Sequence, residues 1–103
     1  MDDRVELRGP EDAERLIERG REAGALAALR VARDSVTPTE LPLVADGFGQ
    51  LEHWEEAAGT LRRATELQPE EARTWEALGD ALVLSGRLTE AMVAYQEKAW
   101  QVY

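Results

Sequence analysis

Trp75-Glu76-Ala77-Leu78-Gly79, followed by Ala91 and Tyr95, is the stretch of sequence that decides the fold of this chain. The same order of large, aliphatic and small residues begins 34 residues earlier, at Leu41. Eight positions match between the two copies: Leu41 with Trp75, Val44 with Leu78, Ala45 with Gly79, Phe48 with Leu82, Trp54 with Leu88, Ala57 with Ala91, Ala58 with Met92 and Leu61 with Tyr95. A fixed period of this length, with small and apolar residues in register, predicts a repeated pair of antiparallel helices.

Helix-ending residues divide the two copies into separate helices. We predict a middle repeat over residues 38–71 and a last repeat over residues 72–103. Gln68-Pro69 ends one helix, and Ser85-Gly86 ends another because glycine readily adopts the left-handed backbone conformation. The second helix of each repeat is expected over residues 54–67 and from residue 88 onward, the latter without a capping segment.

Residues 10–37 are predicted to form a divergent helix pair, which aligns with the middle repeat in a register of 32 residues. Pro10 suits the first turn of a helix, and Gly20 suits the turn that precedes a second helix. Residues 1–9 show no pattern and are expected to form a frayed N-terminal arm. About six helices then account for the chain, which predicts an all-α fold.

The first helix of the middle repeat contains unusual residues. Thr39 is expected to cap this helix, whose first turn tolerates Pro42. Gly47 and Gly49 lie inside it, and each costs about 1 kcal/mol relative to alanine. They either permit close packing, the interpretation we favour, or leave a loosened wall that the backbone of a partner can approach.

These residues resemble the tetratricopeptide repeat family, clearly over residues 41–98 and less clearly over residues 10–36. The resemblance implies antiparallel helix pairs that stack into a short right-handed superhelix. It also implies a concave groove, lined by the first helix of each pair, that binds an extended peptide or a partner helix.

The resemblance also assigns groove-facing positions in this chain. They are Thr39, Pro42, Asp46, Gly49 and Gln50 in the middle repeat, and Arg73, Glu76, Asp80, Val83 and Leu84 in the last repeat. Family members that capture a terminal carboxylate present lysine, asparagine and arginine there, whereas this groove offers three carboxylates and Arg73 as its only cation. A basic or mixed-polarity peptide is therefore favoured as partner. Alternatively, Glu76 and Asp80 form only a solvated acidic face.

Composition excludes several classes of function. The chain has 103 residues, a net charge of −9 and no cysteine. Nucleic-acid binding needs a basic surface, which this charge disfavours. A membrane-spanning helix needs a run of about 18 apolar residues, which is missing. Without cysteine there is no disulfide framework, and the N-terminus lacks a secretory apolar stretch, so a cytoplasmic location is expected.

Catalytic and metal-binding residues cannot be assembled from this sequence. His53 is the only histidine, so a motif with two histidine ligands is impossible and a catalytic triad is improbable. Pairs of acidic residues fall in the first turns of predicted helices, where the helix dipole explains them. We therefore expect a non-enzymatic protein without a cofactor or bound metal.

Two hypotheses of different classes follow from the sequence. The first is a protein–protein interaction module, an adaptor or scaffold that binds a peptide or helix in its groove. The second is a structural repeat protein that assembles with itself, as a homodimer, through Met92, Trp100 and Tyr103 near its uncapped end. Against the second hypothesis, Trp100 can instead fold back on the preceding helices and complete a monomer.

Overall fold

The computed structural model describes residues 10–102 and, within them, the side chains of residue 15 and residues 17–101. The described residues form five α-helices and one 3-10 helix: α1 Pro10–Ser35, the 3-10 helix Pro38–Glu40, α2 Leu41–Gln50, α3 Trp54–Leu67, α4 Ala72–Leu84 and α5 Leu88–Val102. The all-α prediction is confirmed. The arm predicted over residues 1–9 lies outside the described residues.

The prediction of a helix pair near the N-terminus is wrong, because α1 is one continuous helix of 26 residues. Gly20 lies inside it, between Arg19 and Arg21, which favour helix. A glycine ends a helix when it adopts the left-handed conformation, and among the described glycines only Gly86 has a positive φ, of +83°. Five α-helices therefore replace the predicted six.

The described side chains of α1 that reach the hydrophobic core lie in its C-terminal half. Leu26, Leu29 and Ala32 contact the hydrophobic core, as does Val36 just beyond the helix end. The side chains of residues 17–25 are exposed. α1 is therefore a long helix that covers one side of α2 with its last turns.

Ion pairs around Glu56 of α3 fix the position of α1. Arg30 donates two hydrogen bonds to the Glu56 carboxylate, at 2.6 and 3.0 Å, and Arg33 donates a third at 3.4 Å. The hydrogen bond from Arg30 lowers the pKa of Glu56, although partial desolvation opposes this shift. The Arg33 guanidinium also lies 5.7 Å from the centre of the Phe48 ring, close enough for a cation–π contact.

The core lies between the two helix pairs, and most of its members occupy positions that the 34-residue period identifies, although the matched Leu88 and Met92 are exposed. Phe48 of α2 is fully buried, and burial of a side chain of this size stabilises the fold by about 1.5–3 kcal/mol. The buried members of the core cluster are Val44, Ala45, Phe48, Ala57, Ala58, Leu61, Leu78, Ala81, Leu82, Ala91 and Ala94. Trp75 packs at the edge of this cluster, half-buried, and its indole N–H donates to the Pro69 carbonyl at 2.7 Å.

The glycines of α2 permit close packing, as favoured from the sequence. A Cβ on Gly47 would lie 2.7 Å from Cδ2 of Leu29, and a Cβ on Gly49 would lie 2.8 Å from the ring of Trp54. Both distances are shorter than a carbon–carbon contact allows. The alternative of a loosened wall is wrong at Gly47, where the Leu29 side chain fills the space, whereas Gly49 packs on Trp54 and also borders the open cavity described below.

The predicted cap of α2 is also wrong. Pro38 begins a 3-10 turn before α2, so Thr39 lies ahead of the helix start, and Glu40 occupies the capping position without a side-chain cap. The Thr39 hydroxyl instead accepts a hydrogen bond from Nε2 of Gln68 at 3.3 Å.

The turns inside the two helix pairs share one backbone conformation but differ in sequence. Glu52 precedes Gly86 by 34 residues and also has a positive φ, of +61°. The following residue in each turn donates its N–H to a carbonyl five residues back, His53 to Phe48 at 2.9 Å and Arg87 to Leu82 at 2.8 Å. Residues with a Cβ pay about 1 kcal/mol for this conformation. The turn at Glu52 is therefore strained, and that at Gly86 is not.

Glu52→Gly should raise the free energy of unfolding by about 1 kcal/mol, because glycine adopts a positive φ without a Cβ clash. Urea unfolding followed by far-UV circular dichroism measures the change. The reverse substitution in the matched turn, Gly86→Glu, should lower the stability by a similar amount. Equal stability of Glu52→Gly and the parent protein would contradict the strain assigned to Glu52.

Candidate functional site

A cavity of about 180 Å³, here called the groove cavity, lies between the first helices of the two pairs, α2 and α4. Helix α3 contributes its floor. The lining residues are Pro42, Ala45, Asp46, Gly49, Trp54, Ala57, Leu61, Ala77, Asp80, Ala81 and Leu84. A concave, mostly apolar cavity with a few polar groups at its edge is the usual form of a binding site.

The floor of the groove cavity is apolar and rigid. Ala57 and Leu61 of α3 belong to the hydrophobic core and line the cavity at the same time. The half-buried Trp54 forms one wall, since Gly49 lets its ring lie directly against α2. The wall therefore depends on the absence of a side chain at position 49.

Two carboxylates supply the charge of the groove cavity. Asp46 of α2 and Asp80 of α4 are exposed, occupy equivalent positions 34 residues apart, and are the only charged residues of the lining. Asp80 accepts a hydrogen bond of 2.5 Å from the hydroxyl of Tyr95 in α5. Asp46 forms no salt bridge with any residue that the structure describes.

Gly79 brings Tyr95 into reach of Asp80. A Cβ on Gly79 would lie 2.5 Å from Cε1 of Tyr95, so the ring covers a surface that only glycine leaves open. The hydrogen bond to Asp80 is the main cause that raises the pKa of Tyr95 above its usual value of 10.0. Desolvation and the negative charges of Asp80 and Glu76 add to this shift, because all of them disfavour the phenolate.

The structure brings together only part of the groove predicted from the sequence. Asp46, Asp80 and Leu84 line the groove cavity, as do Pro42 and Gly49. The remaining positions, Thr39, Gln50, Arg73, Glu76 and Val83, are exposed but do not line it.

Thr39 and Glu76 have other partners. Thr39 accepts its hydrogen bond from Gln68, and Glu76 pairs with Lys98 at 3.1 Å. Of the two carboxylates considered as an acidic face, Glu76 is therefore paired with Lys98, and Asp80 lies at the cavity.

Sequence reasoning missed the α3 contribution to the groove cavity. Trp54, Ala57 and Leu61 were recognised as repeat positions and were assigned to the core alone. The signal that could have revealed their second role is the small residue at Gly49, which leaves the Trp54 ring accessible from the groove side.

A second cavity, of about 280 Å³, lies among α3, α4 and α5. Apolar side chains, including those of Trp75, Leu82 and Val93, dominate its lining. Arg62 and Glu90 also line it, and they form a salt bridge of 2.5 Å. Two of its three charged side chains are thus paired with each other, whereas Glu66, which also lines it, forms no salt bridge with any described residue.

Two of the three self-association candidates, Met92 and Trp100, lie on the outer side of α5. Met92 and Trp100 expose 64% and 75% of their surface, whereas Ala91 and Ala94 of the same helix are buried. The alternative in which Trp100 folds back on the preceding helices is therefore wrong. Tyr103 lies outside the described residues.

Comparison with known protein families finds one match. The family described as tetratricopeptide repeat matches residues 45–100, which include most of α2 and all of α3 and α4. Among curated proteins, none matches this chain. Tetratricopeptide repeats generally mediate protein–protein interactions and are generally not catalytic.

The described residues contain neither a membrane-spanning helix nor a cluster of metal ligands. None of their helices is long and apolar enough to cross a membrane. No group of three or more histidine, aspartate or glutamate side chains among them could hold a metal ion.

Absorbance titration should place the ionisation of the Tyr95 phenol above pH 10, because the neighbouring Asp80 carboxylate accepts a hydrogen bond from the neutral phenol and repels the phenolate. The difference between the titration curves of the parent and Tyr95→Phe isolates this phenol from that of Tyr103. Asp80→Asn should move its midpoint down toward 10. A midpoint that Asp80→Asn leaves unchanged would contradict the hydrogen bond.

Proposed function

Because the chain belongs to the tetratricopeptide repeat family, we propose that it is a non-enzymatic interaction module that binds a peptide or helix in the groove cavity. Its role is that of an adaptor or scaffold, with a protein as partner and without a cofactor. The cytoplasmic location expected from the sequence is part of the same proposal.

One observation carries this proposal: the groove cavity is open although its floor is built from core residues. Leu61 is 5% exposed and Ala57 is 2% exposed, yet both line the cavity. A partner that fills the cavity removes further apolar surface from water without any rearrangement of the core. Pre-formed sites of this kind bind without the entropic cost of ordering a loop.

Selection from a phage-displayed library of random dodecapeptides tests the proposal. Peptides enriched on the immobilised parent should bind Asp46→Trp at least about tenfold more weakly, because the indole fills the groove. Leu43→Trp is the matched control, since Leu43 lies on the same helix, is 72% exposed and does not line the cavity. Isothermal titration calorimetry with synthetic peptides measures the affinities.

Each variant must first show the far-UV circular dichroism spectrum and melting temperature of the parent protein. Two results would contradict groove binding. The first is a selection that enriches no peptide, and the second is a set of peptides that binds Asp46→Trp and the parent equally.

A second candidate function, self-assembly, is favoured by the exposed apolar surface of α5. Leu88, Met92, Val93 and Trp100 each expose more than half of their surface. Exposed apolar groups clustered on one helix are typical of surfaces that another molecule covers. In this proposal a second copy of the chain covers them.

Sedimentation equilibrium tests self-assembly directly. The parent should have the mass of a dimer at high micromolar concentration, and Trp100→Glu should restore the monomer because it places a charge in the contact. Gln101→Glu is the control for added charge on a neighbouring exposed position. A parent protein that stays monomeric throughout would exclude self-assembly and leave the groove proposal intact.

A further inference from the structure

The groove cavity combines an apolar interior with two carboxylates that form no salt bridge with any cation that the structure describes. Building on the proposed function, we propose that it is the anchor site for one arginine or lysine side chain of a bound peptide, flanked by apolar residues. Asp46 and Asp80 hold the cationic head, and the interior of the cavity receives the aliphatic stem.

The ion pairs of the described residues leave both carboxylates of the groove cavity without a cation. Arg30 pairs with Glu56, Arg62 with Glu90, Arg87 with Glu55 and Lys98 with Glu76. Neither Asp46 nor Asp80 takes part in any salt bridge among the described residues. These four cations are thus engaged elsewhere, and the groove cavity keeps a local charge of two carboxylates.

The hydrogen bond from Tyr95 orients one of these carboxylates. The Tyr95 hydroxyl donates its hydrogen bond to Oδ1 of Asp80, whereas Oδ2 accepts no hydrogen bond from any described residue. A neutral donor fixes the side chain without cancelling its charge. Asp80 is therefore held in place for a cation, and Tyr95 acts as a positioning residue.

The apolar interior decides what kind of cation fits. Arginine and lysine carry long aliphatic stems that lie along apolar surface while the charged head stays at its edge. Trp54, Leu61 and Leu84 provide that surface, and the Trp54 ring can also attract the cation through its π face. A small inorganic cation would leave these apolar walls unused, and a terminal carboxylate would be repelled by both aspartates.

The size of the cavity limits the anchor to a single side chain. A volume of about 180 Å³ accommodates one long residue, and the neighbouring residues of the peptide must lie along the exposed parts of α2 and α4. Exposed Val83 on α4, next to the cavity-lining Leu84, makes apolar flanking residues favourable. The partner is thus a protein segment in which a basic residue stands between apolar ones.

The same random dodecapeptide selection tests this inference through the sequences that it enriches. The enriched peptides should contain an arginine or lysine with apolar neighbours. Asp46→Asn and Asp80→Asn should each raise the Kd of such a peptide roughly tenfold, since each removes one charge without changing the shape of the site. Glu76→Gln is the matched control, because Glu76 lies outside the cavity, and it should leave the Kd within about twofold.

A double-mutant cycle identifies the interacting pair. The basic residue of the peptide is replaced by citrulline if it is arginine, or by acetyl-lysine if it is lysine. The uncharged peptide should bind the parent and Asp46→Asn with equal affinity, because neither complex contains the ion pair. Tyr95→Phe should weaken binding of the charged peptide by about threefold, since Asp80 loses its orienting bond.

The outcomes separate this inference from the proposed function. Enriched peptides without a basic residue that still lose binding to Asp46→Trp would overturn the inference and leave groove binding in place. Basic peptides that bind Asp46→Asn and Asp80→Asn as tightly as the parent would also overturn it. A selection that enriches nothing would overturn both. Asp46→Asn keeps the test decisive if Asp80→Asn fails to fold, because Asp46 has no described partner to lose.

Discussion

The close approach of aromatic rings to glycine is the constraint on which both the core and the groove depend. Tyr95 covers Gly79, and Trp54 covers Gly49, at distances where any Cβ would clash. In the first case the ring holds α4 and α5 together and delivers its hydroxyl to Asp80. In the second case the ring closes a wall of the groove cavity. Two residues without side chains therefore set the helix spacing and, through it, the geometry of the candidate site.

The charged residues that form ion pairs between helices differ from those proposed to bind a partner. The bidentate pair between Arg30 and Glu56 fixes α1 on α3, and the pair between Arg87 and Glu55 links the second helix pair to the first. These pairs are partly exposed, so each contributes modestly and mainly fixes the positions of helices that apolar contacts already hold. Each pair neutralises the arginine that takes part in it. In a chain with a net charge of −9, the carboxylates without such partners then define where a cation is attracted.

The fold of the two helix pairs could be predicted from the sequence, because each pair repeats a local pattern. Glycine at position 86, small residues at 79 and 91, and apolar residues at helical spacing are signals that a single chain displays. The N-terminal segment could not be predicted in the same way. Gly20 suggested a turn, but the choice between a turn and a continuous helix depends on contacts made by Leu26, Leu29 and Arg30 farther along α1. The positive φ of Glu52 was missed for a related reason, since its conformation is imposed by the hairpin rather than by the residue itself.

The groove was harder to predict than the fold, because a groove position is defined by two helices at once. Family positions identified Asp46, Asp80 and Leu84, but not the wall formed by Trp54 or the hydrogen bond from Tyr95. Residues such as Ala57 and Leu61 have a double role, since they stabilise the core and also form the floor of the cavity. Substitution there would alter folding and binding together. Variation in specificity is therefore confined to the exposed edge, where Asp46, Asp80 and Leu84 can change without removing a buried contact. An interaction module built on this fold can acquire a different partner through its edge while the helices beneath it stay the same.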